Sequence, residues 1–435
     1  MVDTEIMETL LSRRGFQLRQ RGFLDAVIVN TCGFIGDAKE ESLEEIFRVV
    51  GLKKAGRVGK ILVGGCLSQR YLTDLVRKIP EVDRFFGLGD VARIDEMLID
   101  VIEDKPLRIP TGGTADLEDA YLLRLKRNKT GWTYLKISDG CSNNCVYCTI
   151  PSIRGPLKSR DLRRVKSEFR AIVEKGIKEV NVIGQDIGSY GRDREGSIGL
   201  EGLLEELAPL VAGDIWLRLL YLHPENVTER LARIMKESSF IVNYLDIPVQ
   251  HASDRILAKM NRRYTRGYLY DLFSMLRQVL DDIVLRTTVM VGFPGERPVD
   301  FAYLESFLED VRFDRLGGFI YSREENTPAW NMGRRVKRDT AVLRLEEILT
   351  VQSQISLEKN RLLQGKKVKV LVEEANRTEG RLTGRYYGQA PEVDGVVSAK
   401  YCNPVKRGDF VPVKISHYDH YDLFGEVAGE KMIDF

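Results

Sequence analysis

The stretch KISDGCSNNCVYCTIP, residues 136–151, holds three of the chain's six cysteines: Cys141, Cys145 and Cys148. Three thiolates in the spacing CxxxCxxC suggest a metal site, although most closed metal sites use four protein ligands. Structural zinc sites pair two CxxC-like halves, and no second half lies near this one in the sequence. A [4Fe–4S] cluster with three thiolate ligands and one open iron therefore fits the compact spacing better than zinc. An open coordination position allows a metal centre to bind a cofactor or substrate.

The chain around this motif repeats a strand and a helix six times between residues 132 and 325. A complete eight-unit barrel would need two more units, so the repeat predicts a partial barrel or an open parallel sheet. Either architecture places chemistry at the carboxyl ends of the strands. The predicted strands are TYLKIS, EVNVIG, WLRLLYL, YLDIPVQ, VLRTTVMVG and RLGGFIYS.

Residues that can carry chemistry gather just past these strands. The cysteine motif follows the first strand, and the tight turn GFPGE (residues 292–296) follows the fifth. Polar residues lie at the ends of three other strands: Gln185 and Asp186 follow the second, His223 follows the third, and Gln250 and His251 end the fourth.

The rest of the chain predicts an α/β fold with smaller flanking domains. Near the start, the strands DAVIVNT and KILVGG alternate with amphipathic helices, and Cys32 and Cys66 stand just past them. Near the end, a long helix at residues 338–363 precedes short period-two strands split by turns, which predict a small antiparallel barrel. The predicted segments are an N-terminal parallel α/β domain (1–101), a linker (102–131), a six-unit partial (β/α) barrel with its trailing helix (132–364) and the C-terminal β-barrel (365–435).

Composition excludes several classes of protein. The 435 residues are 43% hydrophobic and 30% charged, with a net charge of +2, so no overall basic field points to nucleic acid. No run approaches the roughly 18 apolar residues of a membrane span, and the start lacks a secretory signal pattern. We therefore expect a cytoplasmic protein without membrane association, whose clustered cysteines bind metal rather than form disulfides. The isolated Cys402 is expected to be a buried small residue.

The motif CxxxCxxC, with the aromatic Tyr147 before its last cysteine, resembles the radical S-adenosylmethionine (SAM) enzymes. The resemblance implies that the open iron chelates S-adenosyl-L-methionine and that the reduced cluster cleaves it to a 5′-deoxyadenosyl radical. It also implies a six-unit partial barrel, in agreement with the six repeats.

The segments NTCGF, GGCLSQRY, SDGCSNNCVYCTIPSIRGPLKSR, PVQHASDRILAKMNR, VGFPGE and APEVDG are similar to those of the methylthiotransferases and extend through nearly the whole chain. This resemblance implies a second [4Fe–4S] cluster in the N-terminal domain, which receives the sulfur to be inserted, and a C-terminal barrel of the TRAM type. SDGC, IPSIRG, APEVDG and HYDHYDLFG look like the branch that modifies the aspartate β-carbon of the twelfth small-subunit ribosomal protein.

The predicted function is therefore that of a transferase of sulfur-containing groups, with an electron donor of unknown identity. Methylthiolation of isopentenyl-adenosine in tRNA is the first alternative, and a non-catalytic nucleic-acid-binding module with a relict cluster is the second. By resemblance, the predicted metal ligands are Cys141, Cys145 and Cys148 for the radical-generating cluster and Cys32 and Cys66 for the second cluster. The predicted cofactor contacts are Tyr147, Gln185, Asp186, Gly292 and Pro294.

Other residues keep ordinary structural interpretations. Asp186 is also a good helix cap, and GFPGE is also a good tight turn. His223 and His251 are left out of the catalytic set, because hydrogen abstraction by a radical needs no base. Arg154 and Arg160 are considered for an anionic substrate, with solvated arginines as the alternative.

The beginning of the chain departs from the methylthiotransferase pattern. The first cysteine of that family sits in a segment like GCPKNxVDTE, whereas this sequence begins MVDTE. We expect a misassigned start, with the third ligand of the second cluster encoded upstream, because a sheet without that strand would expose unpaired backbone groups.

Charge favours a protein substrate over tRNA. Residues 365–435 contain eleven Lys and Arg and eleven Asp and Glu, so the predicted C-terminal barrel is neutral. An RNA-binding barrel is expected to carry a basic groove. The acidic PEVD and HYDHYD segments are expected to repel phosphate and attract a basic ribosomal protein.

Overall fold

A computed structural model describes residues 2–19, 22–105, 118–124 and 131–428. The chain divides into two compact units. The first unit comprises Met1–Arg127, Asp139–Leu157 and Ser322–Trp330, and the second comprises Asn128–Ser138, Lys158–Tyr321 and Asn331–Phe435. The cysteine motif thus belongs to the same compact unit as the N-terminal α/β region, which the sequence did not predict. The predicted domain boundaries themselves stay predictions.

The first unit is built on a parallel three-stranded sheet in the order β1-β2-β3, as the alternating pattern predicted. Its core packs apolar strand residues such as Ile61 and Val63 against helix residues such as Ile46 and Val49. Within the predicted linker, residues 106–117 and 125–130 lie outside the described part, and a helix that was not predicted occupies residues 118–124. The elements are α1 (Val2–Arg13), β1 (Leu24–Thr31), α2 (Gly36–Lys54), β2 (Val58–Gly65), α3 (Cys66–Lys78), β3 (Arg84–Phe85), α4 (Ile94–Ile102), α5 (Glu118–Arg124) and α6 (Ile150–Arg154).

The second unit contains six parallel strands in sequential order, with β4 and β11 at the two edges. Each predicted strand is present, and the sheet stays open, as six units require. A helix follows each inner strand along the chain, which is the arrangement of right-handed crossover units. The elements are β4 (Trp132–Lys136), β5 (Ser138–Asp139), β6 (Lys158–Ser159), α7 (Leu162–Glu174), β7 (Glu179–Ile183), α8 (Gly199–Leu207), β8 (Trp216–Leu219), α9 (Glu229–Glu237), β9 (Ile241–Asp246), α10 (Asp254–Lys259), α11 (Arg266–Val279), β10 (Val284–Val291), α12 (Pro298–Val311), β11 (Arg315–Ile320) and α13 (Arg338–Arg361).

The C-terminal strands of the second unit form a closed five-stranded barrel. Four of its strand pairs are antiparallel, as predicted, but β14 and β16 pair in parallel. The reason is geometric, because directions cannot alternate all the way around a ring with an odd number of strands. The strands are β12 (Lys367–Asn376), β13 (Arg381–Tyr386), β14 (Val397–Lys400), β15 (Phe410–Tyr418) and β16 (Leu423–Val427).

This small barrel packs against the parallel sheet. Trp132, Trp216 and Val284, each the first residue of its strand, share one apolar cluster with Leu371 and Ala390 of the small barrel. The cluster extends along the sheet, because it also contains Tyr244 of β9 and Leu220, which follows β8.

A buried ionic network accompanies the apolar cluster. Glu179, the first residue of β7, accepts hydrogen bonds from Arg218 at 2.9 Å and from Arg385 at 2.5 Å, and all three side chains are almost completely buried. Arg385 also donates to Glu373 at 2.8 Å. Burial alone would raise the pKa of Glu179, but the two guanidinium groups outweigh it and lower that pKa. The carboxylate therefore stays ionised and couples the small barrel to the parallel sheet.

Asp394 makes a second buried link. Its carboxylate accepts from the Tyr244 hydroxyl at 2.5 Å and from the Ala390 backbone N–H at 3.0 Å. Arg286 lies 3.3 Å from Asp394 and 3.2 Å from Asp246. The predicted role of Asp394 in attracting a basic partner is therefore wrong, because the carboxylate is buried and already paired.

Replacing Glu179 with Gln tests this network. The substitution keeps the shape of the side chain but leaves two buried guanidinium groups without their shared anion, so we expect a loss of about 3–5 kcal/mol in the free energy of unfolding. Urea denaturation at neutral pH measures it. As a matched control, Glu374→Gln removes an exposed carboxylate with one 3.6 Å surface partner, Arg407, and should cost less than about 0.5 kcal/mol. Equal stability of the two variants would contradict the assignment.

Candidate active site

The cysteine loop has a backbone shape fixed by local hydrogen bonds. The Cys141 N–H donates to the Gly155 carbonyl at 3.2 Å, and the Cys148 N–H donates to the Cys145 carbonyl at 3.1 Å. Gly140 has φ +71°, and a Cβ there would lie 2.1 Å from the Pro156 carbonyl oxygen, so no other residue fits. The loop therefore presents its cysteines on a defined backbone, and each of the three is partly exposed.

Two further hydrogen bonds hold the loop within the first unit. The Thr149 hydroxyl donates to the Phe34 carbonyl at 3.2 Å, and the Ala329 N–H donates to the Val146 carbonyl at 2.9 Å. Phe34 lies two residues after Cys32, so this contact ties the loop to the segment that carries the first of the two N-terminal cysteines.

Cys32 and Cys66 come together through strand register. β1 and β2 pair in parallel with Thr31 opposite Gly65, so the cysteines that follow them leave the sheet side by side. Cys66 is the first residue of α3, where the helix dipole favours a thiolate. Burial raises the pKa of the Cys66 thiol, and the Arg154 guanidinium partly offsets this.

Arg154 is engaged by groups of the chain itself rather than presented to an anionic substrate. Its side chain contacts Cys66, Asp3 and Asp139. Burial disfavours its charge, but Asp139 and Asp3 outweigh this and raise the pKa of Arg154. Arg160 is likewise occupied, by Glu168 at 2.6 Å, so the substrate-anion interpretation of both arginines is not supported.

The donor set fits iron–sulfur chemistry. All six cysteines lie among the described residues, none is joined in a disulfide, and five of them belong to the first unit. In the described part of the chain, no three His, Cys, Asp or Glu side chains gather around one point as a single metal ion requires. A four-iron cluster does not need that geometry, because each thiolate binds a different iron. The sixth cysteine, Cys402, was predicted to be buried, but it is exposed, so that prediction is wrong.

The predicted cofactor contacts lie in both units. Tyr147 is part of the cysteine loop in the first unit, and the other four belong to the second unit. Gln185 follows β7, and its buried Oε1 has no hydrogen-bond partner, so an acceptor is available there. Asp186 is buried and already accepts from the Ser189 hydroxyl at 2.6 Å and the Asn226 amide at 2.7 Å. The structure thus shows Asp186 shaping the strand-end loop.

The GFPGE turn is held by its own glutamate. Glu296 accepts from the Gly292 N–H at 2.8 Å and the Phe293 N–H at 3.3 Å. Gly292 has φ +76°, and a Cβ there would lie 2.8 Å from the Ala341 Cβ. Pro294 lines a cavity of about 350 Å³ together with Lys259, Met332, Gly333 and Arg334. The backbone of this turn therefore lies beside the cavity, at the carboxyl end of β10.

The two strand-end histidines have structural surroundings. His251 is fully buried, and its Nδ1 accepts from the two backbone N–H groups that follow it, at 2.9 Å each. Burial, and next the Arg262 guanidinium, lower the pKa of His223 to about 3. His223 is therefore neutral at physiological pH, and its 3.6 Å contact with Glu225 is not an ion pair.

Sequence reasoning missed several residues that organise the first unit. Glu324 accepts from Lys39 at 2.8 Å, from Arg70 at 2.6 Å and from Ser322 at 2.6 Å. Asp3 contacts Arg154 at 3.2 Å. These partners are distant in sequence and carry no motif, so a single sequence offers no signal for them.

Three family models match the chain. The model described as the radical SAM superfamily matches residues 135–308, and that described as the TRAM domain matches residues 365–428. A model described as uncharacterized protein family UPF0004 matches residues 1–87.

Curated relatives match almost the whole chain. The ribosomal protein uS12 methylthiotransferase RimO of Syntrophotalea carbinolica is 41% identical over 432 residues, covering 99% of this chain and 94% of the relative. The protein of that name from Geobacter sulfurreducens is 42% identical over 433 residues, covering 98% and 96%. The chain belongs to this uS12 methylthiotransferase family. It is therefore a radical SAM methylthiotransferase, and the family's cofactors are S-adenosyl-L-methionine and two [4Fe–4S] clusters.

Among solved structures, the radical SAM methyltransferase TsrM of Kitasatospora setae has a TM-score of 0.55 at 14% identity, covering 75% of this chain and 73% of that chain. This likeness concerns the fold alone.

Membership of the uS12 methylthiotransferase family confirms the predicted family, fold class, enzyme class and cofactors. The names of the relatives match the ribosomal-protein branch, and they support neither the tRNA alternative nor the non-catalytic module. No comparison tests the ten predicted site residues one by one, so their roles stay predictions. No helix among the described residues is long and apolar enough to span a bilayer.

The lowered pKa of His223 predicts a pH dependence of stability. In the unfolded state His223 takes up a proton near pH 6.5, whereas in the folded state it takes up a proton only near pH 3. The stability that the buried neutral His223 contributes is therefore complete above pH 6.5 and is lost on acidification. In metal-free protein, His223→Gln should reduce the loss of unfolding free energy between pH 7.5 and pH 5 by about 2 kcal/mol. The exposed His417→Gln variant is the control, and an unchanged pH dependence in His223→Gln would contradict the burial argument.

Proposed function

We propose that this chain transfers a methylthio group to the β-carbon of an aspartate on ribosomal protein uS12. The observation that carries the proposal is the placement of five cysteines, three in one loop and two at neighbouring strand ends, in one compact unit of a uS12 methylthiotransferase family member. When bound, the clusters and S-adenosyl-L-methionine supply the electron, the sulfur and the methyl group of the reaction.

Different cysteines of the chain hold the two clusters. Cys141, Cys145 and Cys148 hold the radical-generating cluster and leave one iron open for the cofactor. Cys32 and Cys66 hold the second cluster.

In the second unit, residues at the carboxyl ends of the strands position the cofactor. The unpaired Oε1 of Gln185 is available to a donor on the cofactor, and the turn at Gly292 and Pro294 offers backbone beside a cavity. Asp186 acts indirectly, by fixing the loop that carries Gln185. Tyr147 contributes from within the cysteine loop.

A protein substrate is favoured by family and is compatible with charge. The balance of eleven basic and eleven acidic residues over 365–435 gives no basic excess for a phosphate backbone. The PEVD and HYDHYD segments can attract a basic protein less strongly than the sequence suggested. Asp394 is buried, and Asp422 already accepts from the Val396 N–H at 2.8 Å.

We also propose a cytoplasmic location and a separate one-electron donor. Clustered cysteines that bind metal are typical of a reducing compartment, and a cluster must be reduced before it can donate an electron. No feature of the described residues identifies that donor.

Product masses test the substrate. Reconstituted enzyme with S-adenosyl-L-methionine, a sulfide source and a chemical reductant is incubated in parallel with uS12 and with tRNA that contains isopentenyl-adenosine. We expect a methylthio increment on one aspartate of uS12 and none on the tRNA. Modification of the tRNA alone would contradict the proposal, and so would an absence of 5′-deoxyadenosine with either substrate.

Cysteine variants test the division of labour. Cys145→Ala should abolish 5′-deoxyadenosine formation, because the radical-generating cluster loses a ligand. Cys66→Ala should retain that cleavage but stop sulfur insertion. Cys402→Ala, which alters the exposed sixth cysteine, is the matched control and should match the parent in both assays. Loss of cofactor cleavage in a folded Cys66→Ala variant would show that the two sets do not act separately.

A further inference from the structure

Arg154 lies where three distant segments of the first unit meet. Its Nη1 donates to both carboxylate oxygens of Asp139, at 3.1 Å each. Its Nη2 donates to Asp3 at 3.2 Å and to the Cys66 sulfur at 3.6 Å. Asp139 lies two residues before Cys141, Asp3 is on α1, and Cys66 begins α3.

Both terminal nitrogens of the guanidinium are engaged. Nη1 shares its contact between the two oxygens of the Asp139 carboxylate, and Nη2 contacts a carboxylate and a sulfur on two other segments. A lysine ammonium is a point charge on a single atom and cannot span acceptors on three segments in the same way. All of these partners belong to the first unit, so Arg154 acts within that unit.

Burial makes this arrangement specific. The Arg154 side chain is 15% exposed, and those of Asp3 and Asp139 are 18% and 38% exposed. Because the guanidinium is largely buried among these partners, its contact with the Cys66 sulfur restricts where that sulfur can lie.

We propose that Arg154 is a positioning residue for the sulfur-delivering site, which fixes the Cys66 sulfur relative to the start of the radical-cluster loop. The inference rests on the proposed function, in which Cys66 and the Cys141–Cys148 loop hold different clusters. A rigid link between these segments keeps a constant distance between the two sets of thiols, as sulfur transfer after radical formation requires. The proposed function needs a fixed spacing between the two sets of thiols but does not itself identify the residue that maintains it.

The test isolates the second cluster in the full chain. A parent variant with Cys141, Cys145 and Cys148 all changed to Ala keeps only the Cys32 and Cys66 site. After anaerobic reconstitution, iron per chain and the electron paramagnetic resonance spectrum of the reduced protein are measured, so that activity is not the readout. In this background, Arg154→Gln should lower bound iron at least threefold and change the spectrum, and Arg154→Lys should restore part of the iron with a shifted spectrum.

A matched control separates positioning from general stability. Arg124 is also buried in the first unit, and it donates to Glu5 on α1 at 2.5 Å. Arg124→Gln should lower the melting temperature of the metal-free protein as Arg154→Gln does, yet keep parental iron content and spectrum.

Two outcomes would overturn the inference and differ in what they mean. If the parent binds iron and Arg154→Gln retains the parental iron content and spectrum, Arg154 has no positioning role, while the proposed function stands. If the parent itself binds no iron, the second cluster of the proposed function is absent, and the inference is overturned with it.

Discussion

The hydrogen bonds that hold the cysteine loop in the first unit are the constraint on which the remaining site depends. The Thr149 hydroxyl donates to the carbonyl of Phe34, 115 residues earlier in the chain, and the Ala329 N–H donates to the Val146 carbonyl, so the loop is joined to segments that are distant in sequence. Without these contacts, the motif CxxxCxxC would be only a local metal-binding loop. With them, all five candidate ligands belong to one compact unit.

A second constraint joins the small C-terminal barrel to the parallel sheet. The two are held together by an apolar cluster and by the buried carboxylate of Glu179. Buried ion pairs contribute little net stability but are costly to break, which favours one orientation of the small barrel over others. Gln185, whose buried Oε1 has no hydrogen-bond partner, follows the carboxyl end of β7.

The sequence predicted what local patterns encode. The six parallel strands and the placement of Cys32 and Cys66 at strand ends follow from hydrophobic periodicity, and the family follows from the motifs. Long-range pairing was beyond reach: nothing near Arg154 in the sequence indicates Asp3, and nothing in PEVD indicates that Asp394 is buried against Tyr244. The parallel pair β14 and β16 follows from the closure of five strands, a property of the whole ring rather than of either strand.

The most direct measurement is anomalous diffraction at the iron edge from anaerobically reconstituted crystals of the full chain. We predict two separate iron peaks within the first unit, one at the sulfurs of Cys141, Cys145 and Cys148 and one at those of Cys32 and Cys66. A single peak at the loop, with Cys32 and Cys66 free of iron, would contradict the assignment of two clusters with separate ligands.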